Sequence, residues 1–397
     1  MNNNTATNFK RPKVLATGIN PPSANWILRP EDIGTIQPRP DISDWEDLIK
    51  ATEVNGNTGN YLIGDAGMQA LSGCDVDFIP SWHVVFIINN PELLKEFRKK
   101  YEKLVIFTAN LLRGDYSADT ELFMVKKLDL PTVMMSVGIQ DRFNLDLPPA
   151  TVELLDIFKV KNDFIFCRGF ESANFLRDRN VNNAHEAGCP SIFAFPEQIK
   201  QALMSLSAID TSRKLNILMS GYLGNQIGTV EDINAISSFS SHISYALQDD
   251  HLFYGFDFVP NDKLFYEWNN GLIRGTAKYE FKELEIKQPS YHIFWETDQW
   301  REFASTHDVF IGRRFHGGII AMQAGIPALF LNIDDRMREM LGYAGFPCLE
   351  ASILQESKNQ AGQINEFIDS FDFTEAKKHY EKIEMHFRSL LISAGLG

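Results

Sequence analysis

Residues 309–331 read VFIGRRFHGGIIAMQAGIPALFL. Apolar runs at 309–312 and 328–331 bracket a stretch of small residues. The order is strand, glycine-containing turn, short helix, turn, strand. Arg314 and His316 fall where the first strand gives way to the helix. In open α/β sheets ligands bind at that edge, and the N–H groups of a helix start favour anions. Arginine holds carboxylate or phosphate in a planar fork. Imidazole titrates near neutrality, so His316 can act as general acid or base. Gly317 and Gly318 are expected to let backbone approach a ligand closely. The same residues also fit a surface ion pair for Arg314 and a capping role for His316.

The surrounding chain repeats this alternation. Helices are expected at 296–305 and 334–341, and a strand at 215–219 (LNILM). A helix is expected over 232–247. Before the polar turn Asp210-Thr211-Ser212-Arg213 lies an earlier series: strands at 13–17, 104–108, 132–137 and 163–167, helices at 92–101, 119–128, 150–160 and 171–177. Short apolar strands alternating with amphipathic helices indicate parallel sheets. A chain of 397 residues accommodates two domains, placed here at 1–205 and 206–397. An amphipathic helix at 374–391 is expected to pack back across them. The aromatic-rich segment 253–288 allows no assignment. Prolines at 21, 22, 30, 38 and 40 disfavour helix there. Residues 56–67, GNTGNYLIGDAG, lead into a helix at 68–71. Gly64 and Asp65 either bring backbone near a ligand or form a tight turn capped by Asp65.

The formal net charge of −14 argues against nucleic acid or an anionic membrane as partner. Cys74, Cys167, Cys189 and Cys348 are far apart, which suggests reduced structural thiols and a cytoplasmic setting. No apolar run approaches the roughly 20 residues of a membrane span. Residues 1–9 lack a signal-peptide core and read as a frayed tail. There is no Walker loop, no G-x-G-x-x-G after the first strand and no metal-ligand spacing. Arg168 follows the strand at 163–167 directly. Two arginines facing each other from two domains suit a substrate with two anionic groups, while a salt bridge from Arg168 to Glu171 or Asp178 is the other reading.

Taken together, these motifs resemble the polysaccharide pyruvyl transferase family. The likeness rests on Arg314-Phe315-His316 followed by Ala324-Gly325-Ile326-Pro327. It extends to Asn60-Tyr61-Leu62-Ile63-Gly64-Asp65-Ala66, to 133–138 (VMMSVG), to Phe166-Cys167-Arg168 with Ser172 and Leu176, and to Gly188-Cys189-Pro190-Ser191. Two departures stand out: Gly169 where the family usually has Asp, and Phe315 where Leu is commoner. The resemblance implies an α/β fold of two Rossmann-like domains facing a cleft, similar to GT-B glycosyltransferases, with a C-terminal helix. It implies phosphoenolpyruvate as donor substrate without a further cofactor or metal, and a sugar or glycan acceptor. His316 would be the general acid/base, with Arg314 and Arg168 clamping the donor's anionic groups. Gly64, Asp65, Gly317 and Gly318 would lie along the substrate. A glycosyltransferase using a nucleotide sugar, or a non-catalytic glycan-binding protein, fits the same fold. The oligomeric state is left open.

Overall fold

The computed structural model describes residues 11–21, 57–140, 145–161, 163–223, 229–250, 290–294 and 296–397, with the backbone of short strands between 254 and 285. The expected tail at 1–9 and the proline-rich segment beyond Pro21 lie outside the described residues.

The first sheet is six-stranded and wholly parallel. Its strands are β1 (Lys13–Gly18), β2 (Asp75–Phe78), β3 (Lys103–Phe107), β4 (Thr132–Val137), β5 (Phe164–Cys167) and β6 (Ala184–Glu186), in the order β2-β1-β3-β4-β5-β6. The second contains β7 (Leu215–Met219), β8 (Ser240–Leu247), β9 (Ser290–Phe294), β10 (Val309–Gly312), β11 (Ala328–Asn332) and β12 (Cys348–Glu350). Their order is β9-β8-β7-β10-β11-β12, all parallel. Antiparallel Phe265–Trp268 and Val259–Pro260 extend the β9 edge. Every residue of β4, β10 and β11 is buried, which is why these strands read as continuous apolar runs. The chain is thus α/β, with two Rossmann-like sheets. The strand order reverses between β1 and β3 in one and between β7 and β10 in the other. Ligands of doubly wound sheets bind outside the carboxyl ends of the strands at such reversals.

Two expectations change. The helix expected over 232–247 is helix Thr229–Ser237 followed by β8. Serines end it: the hydroxyls of Ser237 and Ser238 donate to the carbonyls of Asn234 and Ala235, competing with the helical ladder. The buried run Ile243–Leu247 then fills a central strand position. The glycine-rich stretch is also not a turn, since Gly64 and Gly67 lie inside helix Tyr61–Ala70. A Cβ on Gly64 would sit 2.6 Å from Pro21 N, and one on Gly67 2.5 Å from the Phe107 ring. These glycines admit close packing on the β1 and β3 side of the domain.

The last helix, Phe373–Ser393, crosses between the domains as expected. Tyr380 Oη donates to the Ile192 carbonyl at 2.6 Å. The Phe387 ring stacks on Phe193 at 4.5 Å and meets Phe166 of β5 edge-on at 6.4 Å. Beyond it, the Leu396 carbonyl accepts from Cys74 Sγ at 3.5 Å. One apolar cluster therefore runs from Val14 and Val105 through Phe193 to Phe310 and Ile319, while a second fills the other face of the first sheet. Among the described residues no helix is long and apolar enough to cross a membrane.

Candidate functional site

A cleft of about 740 Å³ lies between the carboxyl ends of both sheets. The first domain contributes Asn110 after β3, Gln140 after β4, Arg168 after β5, and Asn57 and Asn60 from the start of the glycine-rich stretch. The second contributes Tyr222 after β7, Gln248 and Asp249 after β8, Arg314 and His316 after β10, and residues 333–338 after β11. The two domains are strapped together beside it, where the Thr58 N–H donates to the Gln248 carbonyl at 3.0 Å.

Arg168 is buried and has no ion pair to Glu171 or Asp178 among its hydrogen bonds. Its Nε donates to Ser136 Oγ and its Nη1 to Asn110 Oδ1, both at 2.9 Å. Its Nη2 is buried and meets no hydrogen-bond partner among the described residues. Ser136 reaches the guanidinium from a left-handed backbone, φ 68°, at a register shift between β4 and β5. Burial pushes the Arg168 pKa down, and the nearby Arg336 pushes the same way. Arg336 Nη2 donates to Tyr222 Oη at 2.9 Å and to Asp334 Oδ2 at 3.2 Å, and its Nε is buried without a partner among the described residues. Both guanidiniums thus keep an unused N–H, the arrangement an incoming anion would satisfy.

Arg314 is differently placed from the clamp that the sequence suggests. Its Nε donates to the Gly221 carbonyl at 2.7 Å, its Nη1 to Asp249 Oδ2 at 3.2 Å, and its Nη2 to Asp249 Oδ1. The guanidinium also lies over the Tyr222 ring at 3.4 Å. Burial opposes its charge, but Tyr222, Asp249 and Asp250 outweigh that and hold its pKa above the usual value. Its fork is occupied by protein, so it braces the cleft wall. Its neighbour Arg313 is likewise paired, with buried Asp232.

His316 lies at the start of helix Phe315–Gln323. Its Nε2 is 3.6 Å from Cys189 Sγ, which contacts Ser191 Oγ at 3.1 Å and accepts from Ser136 Oγ at 3.7 Å. A polar chain therefore runs from Arg168 through Ser136 and Cys189 to His316, across the domain boundary. Burial, then Arg168, Arg336 and Arg314, hold the His316 pKa well below the usual imidazole value and so favour the neutral ring.

The other expected site residues lie elsewhere. A Cβ on Gly317 would come 2.9 Å from Ser220 Cβ, and one on Gly318 2.2 Å from the Phe330 ring. These glycines seat the helix on its sheet and do not line the cleft. Gly64 packs against backbone as described, and Asp65 accepts from Thr297 Oγ1 in a separate groove with Arg301. Asn57 and Asn60 of the same stretch do reach the cleft. Among aromatic residues, whose faces suit sugar rings, Trp300 is buried against Phe294, Tyr291 is buried, and the side chains of Trp268 and Trp295 lie outside the described residues. Sequence reasoning missed Ser136, Cys189, Asp249 and Arg336. Ser136 had a signal, as the one polar residue inside the apolar run of 133–137.

The fold and cleft define a doubly wound two-domain α/β protein with a cation-rich site at its strand ends. A family model described as polysaccharide pyruvyl transferase matches residues 57–335. The chain belongs to that family. It is also similar to solved structures at low identity. One is a UDP-GlcNAc 2-epimerase from Neisseria meningitidis bound to UDP-GlcNAc, at 13% identity and TM-score 0.42, covering 94% of this chain and 100% of that one. Another is a variant of the wall teichoic acid polymerase TagF, at 11% identity and TM-score 0.38, covering 96% and 90%. No curated protein matches the chain.

Proposed function

We propose that the protein transfers a pyruvyl group from phosphoenolpyruvate to a sugar of a cell-surface polysaccharide or its precursor, with a pyruvate ketal as product. Arg168 carries this reading. It is a buried guanidinium with neutral hydrogen-bond partners and an unused N–H, beside a second guanidinium, Arg336, which pairs with Asp334 and also keeps an unused N–H. Desolvated charge of one sign is costly until a counter-charge arrives. Phosphoenolpyruvate brings both a carboxylate and a phosphate. No further cofactor is invoked.

The chemistry follows from the donor. A proton adds to its methylene carbon, leaving an oxocarbenium-like centre at C2. One sugar hydroxyl attacks C2, and the C2–O bond to phosphate breaks. A second hydroxyl closes the ketal. One hydroxyl proton replaces the proton given to carbon, and the other leaves with phosphate. His316 is the group assigned to proton transfer. Burial and the repulsion from Arg168 and Arg336 disfavour its protonated form, and a bound anion offsets that repulsion. Arg168 and Arg336 hold the anionic groups and stabilise the departing phosphate. The carboxamides of Asn57, Asn60, Asn110 and Gln140 offer neutral hydrogen-bonding groups to a sugar. Four unpaired thiols favour a reducing compartment, and we assign the reaction to the cytoplasm.

A thermal-stability screen tests this. Phosphoenolpyruvate is expected to stabilise the wild type and not Arg168→Ala. Stabilisation by nucleotide diphosphates and none by phosphoenolpyruvate would replace the reading with a nucleotide-sugar glycosyltransferase.

A further inference from the structure

We infer that Glu339 is a positioning residue that holds the two arginine-bearing walls of the cleft in register. The inference deepens the reading of the cleft as an anion site, and it rests on that reading for its effect on binding.

Helix Phe170–Arg177 begins directly after Arg168, and its cap residue Gly169 supplies no side-chain hydrogen bond. A helix start leaves N–H groups unsatisfied, and a side chain at the cap position ordinarily accepts from the third of them. Here the acceptor comes from the other domain. Glu339 Oε1 accepts from the Ser172 N–H at 2.6 Å, and Glu339 Oε2 accepts from Ser172 Oγ at 2.9 Å. Ser172 Oγ in turn accepts from the Ile139 N–H at 3.0 Å, fixing the loop that carries Gln140. The Glu339 carboxylate is buried. It occupies room that only a glycine at 169 leaves, because a Cβ there would lie 2.5 Å from Glu339 Cγ. The φ of Gly169, −172°, is open to any residue. Space, and not backbone conformation, is therefore the reason for glycine.

Glu339 belongs to helix Asp335–Ala344, whose faces divide the work. Glu339 and Tyr343, four apart, dock on the first domain, where Tyr343 Oη donates to the Glu186 carbonyl at 2.9 Å. Arg336 and Met340, also four apart, line the cleft. The carboxylate that caps the helix after Arg168 thus sits one turn from Arg336 on its own helix. The spacing of the two guanidiniums is set through it.

The test compares Glu339→Ala, Glu339→Gln and the double variant Gly169→Asp/Glu339→Ala in the full chain. In Glu339→Ala, amide exchange is expected to quicken in both Phe170–Arg177 and Asp335–Ala344. The half-saturating phosphoenolpyruvate concentration for thermal stabilisation is expected to rise about tenfold as the two hydrogen bonds that join the walls are lost. Glu339→Gln keeps an acceptor for the Ser172 N–H and should recover part of both, and it carries the comparison if Glu339→Ala does not fold. The double variant restores a carboxylate cap within the first domain and no link to the second. Exchange in Asp335–Ala344 and the weakened binding should therefore persist in it. Full recovery there, or unchanged exchange in Asp335–Ala344 in Glu339→Ala, overturns the inference. If phosphoenolpyruvate fails to stabilise even the wild type, the donor reading fails, and exchange alone still decides the role of Glu339.

Discussion

Arg168 and Ser136 meet across a bulge: the guanidinium Nε donates to Ser136 Oγ at 2.9 Å, and Ser136 presents that oxygen from a left-handed backbone, φ 68°. The strained residue and the incompletely satisfied arginine are the same device. Strain of this kind persists where surrounding structure enforces it, and it concentrates at sites that bind or react.

Ser136→Gly and Ser136→Ala separate the two contributions. Both lose the acceptor for Arg168 Nε and should weaken phosphoenolpyruvate binding by about tenfold, the scale of a hydrogen bond to a charged group. Glycine accepts the positive φ and alanine does not, so Ser136→Gly should be the more stable by about 1 kcal/mol. Urea denaturation and ligand titration of the two variants check both statements.

Arg168 and Arg314 should respond oppositely to truncation. Arg168→Ala removes a buried cation whose hydrogen-bond partners are neutral and which has only the longer-range attraction of Glu339 beside it. It is expected to leave stability unchanged or raised while abolishing detectable stabilisation by phosphoenolpyruvate. Arg314→Ala strands Asp249 and buried Asp250 without their counter-charge and should cost about 3 kcal/mol of stability. Chemical denaturation beside a donor titration distinguishes them. Equal destabilisation by both would mean that Arg168 is also a structural brace.

The charge state of His316 gives a pH signature. Its folded pKa lies below the unfolded value near 6.5. The unfolded chain therefore binds a proton that the native protein refuses, and stability is lost as pH falls below the unfolded value. Burial pushes Asp250 the other way, to about 6, so the comparison must isolate the histidine. His316→Gln should be relatively more stable than wild type at pH 5.5 than at pH 7.5. Calorimetric titration of the wild type with phosphoenolpyruvate, in buffers of different ionisation enthalpy, should show net proton uptake that His316→Gln lacks.

Phe387→Ala should destabilise both domains at once. Its ring packs on Phe193 and on Phe166 of β5, and removing such a buried ring costs about 3–5 kcal/mol. Scanning calorimetry is expected to show one transition at a lower midpoint. Two separated transitions in the variant would show that the domains fold independently.

Much of the fold was legible because buried parallel strands are short apolar runs, and β4 and β7 appear at their expected limits. The region 229–247 misled because an apolar helix and an apolar strand adjoin, separated only by serines whose hydroxyls do the terminating. At the site, position was legible and partnership was not. Arg168 and Arg314 each follow a strand, yet only the folded chain shows Asp249, 65 residues away, taking the fork of Arg314. Arg336 carried no signal, since it stands among Asp334, Asp335 and Arg338 as one charge in a charged run. The glycines at 317 and 318 invited a ligand-approach reading, but glycine also serves where a helix must sit close on a sheet, as Phe330 requires of Gly318.

The single apolar cluster that joins the two sheets limits how such a protein can diversify. A second domain exchanged for that of a relative would have to bring counterparts of Tyr380 and Phe387 that fit Phe193, as well as match the cleft. New acceptor preferences are therefore expected to arise by substitution along the strand-end loops, one carboxamide or loop at a time, with the two-domain body inherited whole.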